Sequence, residues 1–84
     1  MKNINIIGMK FNKLGNMYDI VIEVLKQNNN KFLIKWTDDI NSNLGLAIVE
    51  YNNEKKEIKP IFKTYDITPD NLDNTMFNHY LTTE

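Results

Sequence analysis

The sequence contains no cysteine and no arginine, one histidine, one serine, two prolines and three glycines. Each scarcity removes a class of chemistry. Without cysteine there is neither a disulfide framework nor a thiolate metal site, and the cytoplasm is the default location. Without arginine the planar fork that grips carboxylates, phosphates and guanine edges is missing, and all ten cationic side chains are lysine. The lone histidine, His79, lacks the second histidine or cysteine that a zinc site needs and the neighbours that make a general base, so a solvated position is expected. Ser42 has no Gly-x-Ser-x-Gly elbow around it, and no glycine run exists to cradle a phosphate. Ile4, Ile6 and Ile7 are interrupted by asparagine and are too few for a signal or membrane-spanning segment. The expectation is a chain that is not an enzyme, holds no cofactor and no metal, and contacts no membrane.

What is present suits a small β core. The chain has 84 residues, 42 % of them hydrophobic and 11 % aromatic, which is enough for one core and too short for two. A single domain over residues 1–84 is expected. Net charge is −1, unevenly spread: residues 1–37 carry six lysines against Asp19 and Glu23, whereas residues 38–84 carry four lysines against nine acids. If the two halves stay apart in space, the molecule is dipolar. Lysine, asparagine and isoleucine supply 35 of the 84 residues, a bias expected of an AT-rich coding genome such as that of a phage or mobile element.

From Tyr18 to Leu25 the chain alternates, with Ile20, Ile22 and Val24 on one face and Asp19, Val21 and Glu23 on the other, the period of a half-buried strand. Asparagine tolerates the left-handed region, so the run Gln27 to Asn30 is expected to turn the chain. The return strand is Lys31 to Thr37, with Phe32, Ile34 and Trp36 on one side and Leu33 and Lys35 on the other, nearer water. A loop through Asn41, Ser42 and Asn43 leads to a third strand, Leu46 to Tyr51. After Asn52 and Asn53 a second hairpin returns through Glu57 to Lys63, with Pro60 marking an edge or a bulge. Gly8 to Phe11 reads as a short first strand followed by a loop over Asn12 to Asn16. Near the C-terminus the period changes. Leu72, Met76, Phe77, Tyr80 and Leu81 gather on one helical face behind Thr68 as cap and Pro69 at the first position, predicting a helix over 69–81 that closes one open end. The expected fold is mainly β: a small, SH3-like, partly open antiparallel barrel of about five strands with a C-terminal α-helix.

The stretch Gly8, Phe11, Gly15, Tyr18, Ile22, Val24 and Phe32 to Trp36 resembles the opening hairpin of the Tudor, chromo-barrel and chromodomain group of SH3-like barrels. Thr68 to Asp73 followed by Phe77 is similar to the start of the chromodomain C-terminal helix. The resemblance implies an aromatic cage for methylated lysine or arginine, walled by Tyr18, Trp36 and Tyr51, with Asp38 or Asp39 as its acid.

Three functional readings follow from the residues. The first is a non-catalytic module that recognises a larger protein partner, a phage or mobile-element factor that inhibits or redirects a host protein, binding through Tyr18, Lys35, Trp36, Asp38, Asp39 and Tyr51. Trp36 has two readings here, core residue or rim anchor, with the core favoured by Phe32 and Ile34 in its phase. The second is a nucleic-acid-binding barrel that tracks phosphates with Lys10, Lys13, Lys26, Lys31 and Lys35 of the lysine-bearing N-terminal half. The third, a metal-dependent hydrolase, rests only on Asp38, Asp39 and His79, and adjacent carboxylates after a strand are more simply a solvated loop. A dimer through the Glu57 to Lys63 edge is a further expectation, opposed by Pro60 and the flanking lysines.

Overall fold

The computed structural model describes residues 4–65, 78, 79 and 81. Five strands follow in order: β1 (Lys10–Leu14), β2 (Met17–Asn28), β3 (Lys31–Asp38), β4 (Leu44–Asn52) and β5 (Glu57–Lys63). Each pairs antiparallel with the next, so the sheet order is the chain order. The meander curls until β1 approaches β5, giving the expected mainly β, nearly closed barrel. With five strands alternating in direction, β1 and β5 run the same way, and among the described residues no ladder of backbone hydrogen bonds joins them.

The turns form where backbone freedom and local hydrogen bonds permit. Gly15 takes φ 62° between β1 and β2, and Asn29 takes φ 56° between β2 and β3, both in the left-handed region that glycine and asparagine enter at low cost. Between β4 and β5, the Asn52 side chain accepts the amides of Glu54 at 2.9 Å and Lys55 at 3.0 Å. The strands are longer than their apolar alternation suggests. The expected loop over Asn12 to Asn16 is largely strand, because β1 starts at Lys10 and continues to Leu14 with a bulge at Asn12, φ 53°.

The interior holds Ile6, Phe11, Val21, Phe32, Ile34, Trp36, Ala47, Val49 and Ile58. Ile6 lies before the first strand and is drawn in by a turn in which Met9 donates to the Ile6 carbonyl and Gly8 to that of Val21. Val21, not Ile22, faces the core: Val21 is fully buried and Ile22 is 39 % exposed. The expected apolar face of Ile20, Ile22 and Val24 is therefore corrected. Bulges against β3, between Val21 and Glu23 and between Val24 and Lys26, change the phase twice within one strand.

A second apolar layer lies on the outside of the sheet. Leu33, Leu46 and Ile48 point away from the barrel core and are buried with Leu81, with Leu25 and Phe62 packed beside them. Leu33 thus does not face water as expected, and this double burial explains the unbroken apolar runs Phe32 to Ile34 and Leu46 to Val49. Asn78, His79 and Leu81 are helical, and the rest of the expected 69–81 helix lies outside the described residues. Leu81 covers the outer face and does not plug a barrel end, and its carbonyl accepts the Asn28 amide group at 2.9 Å.

Candidate functional site

Alternating strand direction brings one set of connections to each end of the barrel. The β1–β2 turn, the β3–β4 loop and the end of β5 share one end, and the β2–β3 and β4–β5 turns share the other. At the first end Leu14 pairs with Met17 across the tight turn, Tyr18 donates its amide to Asp39 of the β3–β4 loop at 3.3 Å, and Leu44 pairs with Thr37. Tyr65, just beyond β5, packs edge-on against Trp36 with ring centroids 5.1 Å apart. Beside the exposed polar residues Asn16, Asp39, Asn41 and Ser42, this end exposes large apolar side chains: Leu14 is 76 % exposed, Tyr65 57 %, Ile40 56 %, Met17 45 % and Leu44 44 %. Ordinary surfaces scatter such residues singly, whereas here five lie on connections that share one end.

Beneath that end lies a charged clasp. Lys63 of β5 meets Asp19 of β2 at 2.6 Å, with both side chains largely buried, and Asn12 of β1 donates to the same Asp19 oxygen at 3.2 Å. Three strands are thereby joined where the backbone ladder is missing. The Lys63 ammonium also lies 4.1 Å from the Trp36 ring centre and 4.8 Å from that of Tyr65, a cation–π geometry that contributes up to ~2 kcal/mol when desolvated. Burial alone would lower the Lys63 pKa, but hydrogen bonds to Asp19 and Tyr65 outweigh it and hold the amine above its ordinary 10.5. Trp36 is fixed by its indole N–H, which donates to the Thr64 carbonyl at 3.1 Å. Gly45 leaves room for this: a Cβ there would run into the Thr64 carbonyl and the Trp36 ring nitrogen.

The residues expected to bind a partner are dispersed. Trp36 is fully buried, so it is core and not a rim anchor. Tyr18 lies at the apolar end with Lys10 4.4 Å over its ring. Tyr51 lies at the opposite end, where its amide donates to the Asn30 carbonyl, its side chain packs against the core, and the residue borders an open polar cavity of about 540 Å³ with Glu50, Glu54 and Lys59. Tyr18, Trp36 and Tyr51 therefore do not wall one cage, because register places Tyr18 near the start of β2 and Tyr51 near the end of β4. Asp38 is spent on its own loop: its carboxylate accepts the amides of Asn41 at 2.8 Å and Asn43 at 3.3 Å and the Asn43 side chain at 2.8 Å. Desolvation opposes but does not overcome these bonds, and the carboxyl titrates below its ordinary 3.8. Among the described residues no cluster of three acidic, histidine or cysteine side chains is placed to hold a metal, and His79 is exposed.

The lysines expected to track nucleic acid do not form a stripe. Register sets Lys35 opposite Glu23 and Lys31 opposite Glu50, Lys26 reaches Asn78 at 3.5 Å, and Lys10 sits over Tyr18. Sheet order follows chain order, so the lysine-bearing β1–β3 and the later β4–β5 lie side by side and meet at the β3–β4 pairing and along the β1–β5 seam. Lys10 and Lys13 line a second open cavity, of about 330 Å³, with Glu57 and Ile58 along the β1–β5 seam. Sequence reasoning missed Asp19, Lys63 and Tyr65. The first two are 44 residues apart, and only the closed barrel brings them together. Among the described residues no helix is long and apolar enough to cross a membrane.

Comparison of the chain with protein-family models, with curated proteins and with solved structures found no match.

Proposed function

We propose that the chain is a non-catalytic module that binds a protein partner through the apolar barrel end formed by Leu14, Met17, Ile40, Leu44 and Tyr65. The observation that carries this reading is the exposure of these five large side chains on connections that meet at one end of the barrel. Covering them would remove apolar area from water at about 25 cal/mol per Å², the usual drive of protein association. Tyr18 and Asp39 border the same end and remain in the binding set, whereas Lys35, Trp36, Asp38 and Tyr51 leave it. The composition supports an AT-rich coding genome, and in a phage or mobile element the partner would be a host protein that the module inhibits or redirects.

The test is capture from lysate with the tagged chain beside a Leu14→Asp/Ile40→Asp variant and a Lys55→Glu control at the opposite end. The expected result is one stoichiometric partner held by the parent and the control and lost by the double variant. A parent that holds no such partner, or a double variant that keeps it, overturns the reading.

A further inference from the structure

Two of the three walls around the Lys63 ammonium, Trp36 and Asp19, are held in place by groups other than Lys63. Trp36 is oriented by its bond to the Thr64 carbonyl and by the space left at Gly45. The Asp19 side chain is only 8 % exposed, and Asn12 fixes the oxygen that faces the amine. Tyr65 stands nearly perpendicular to Trp36, at 88°, and is more than half exposed. Two ring faces and a carboxylate thus converge on one point, 4.1 Å and 4.8 Å from the ring centres and 2.6 Å from the carboxylate oxygen. This combination recognises one chemical class. A ring face attracts a cation through its quadrupole, a carboxylate adds a charge-assisted hydrogen bond, and the four-carbon stem of Lys63 carries the ammonium to that point from β5.

We propose that Trp36, Tyr65 and Asp19 form a binding site for a protonated primary alkylamine, and that the chain fills this site with its own Lys63. The tether explains why the site is closed in the intact chain: an attached ligand has an effective concentration far above that of any free amine. Shortening Lys63 to alanine removes the guest and leaves the host, whose Trp36 and Asp19 walls are anchored independently. An amine of matching length, n-butylammonium, then has both the cation and the stem that the site requires.

The experiment uses the full chain and its Lys63→Ala variant, titrated with n-butylammonium chloride, with sodium chloride at equal ionic strength, and with n-butanol as the uncharged stem. Trp36 is the single tryptophan, so its fluorescence reports the site directly. The expected result is a saturable fluorescence change in Lys63→Ala with n-butylammonium alone. A rise in melting temperature of about 8 °C is expected at ten times the apparent dissociation constant, and no change in the parent. If Lys63→Ala is unfolded in buffer, recovery of its β-sheet circular dichroism with n-butylammonium but not with the two controls is the supporting result. A variant that fails to respond, or that responds equally to sodium chloride or n-butanol, overturns the proposal.

Discussion

Lys63 is worth following through its titration because its two states differ so much in what they can bind. Protonated, it satisfies Asp19 and faces two rings; neutral, it loses the ion pair and the ring attraction together. Its folded pKa lies above the ordinary 10.5, so its contribution is fully present below the unfolded value and is lost as pH rises through the folded one. Stability is therefore expected to fall above about pH 10.5 more steeply in the parent than in Lys63→Met, which shares every other alkaline titration; urea denaturation at pH 9 and pH 11 measures the difference. At neutral pH the same variant should lose about 3 kcal/mol, since Asp19 keeps Asn12 but loses its counter-charge. Nothing in the sequence announces this pair: Asp19 sits in a strand beside isoleucines and Lys63 ends another, each indistinguishable from a solvated charge. Asp38, expected as a binding acid or part of a solvated loop, instead holds that loop through Asn41 and Asn43, a local side-chain-to-backbone habit of aspartate that the polar loop sequence allows. The buried position of Trp36 was legible, from its phase with Phe32 and Ile34.

At the scale of the element, existence and order were easier to read than facing. The asparagine runs mark the hairpins and the β-branched residues mark the strands, and β5 has the expected Glu57–Lys63 bounds, with Pro60 beside a bulge. Facing fails in β2 because a single period cannot describe a strand with two bulges. Val21 and Ile22 are adjacent and chemically similar, so only the pairing with β3 decides which one is buried. Val21→Ala should cost about 2 kcal/mol by emptying a core position, and Ile22→Ala no more than about 0.5 kcal/mol on the outer face. Equal losses in the two variants by chemical denaturation would show that the bulge does not set the phase. The outer layer of Leu33, Leu46 and Ile48 was half legible: continuous apolar runs signal burial on both sides of a strand but cannot say what covers the second side.

At the scale of the whole molecule, the closure of the barrel is its most distinctive weakness. Hairpin signals imply a meander, but no local signal states whether its first and last strands meet, and here they approach without a backbone ladder. β3 is paired along its length on both sides, whereas β1 has five residues, a bulge at Asn12 and backbone partners only on β2 and its flank. Opening the seam therefore breaks few backbone hydrogen bonds, so it should occur far more often than global unfolding. Native-state hydrogen exchange is expected to show β3 amides exchanging only through global unfolding and β1 amides through a local opening. The clasp of Lys63, Asp19 and Asn12 crosses that seam, so Lys63→Met should speed exchange in β1 well beyond its effect on global stability. If β1 and β3 instead slow and quicken together in both proteins, the side-chain clasp is not what keeps the barrel shut, and closure must come from the core cluster to which Phe11 and Ile58 both belong.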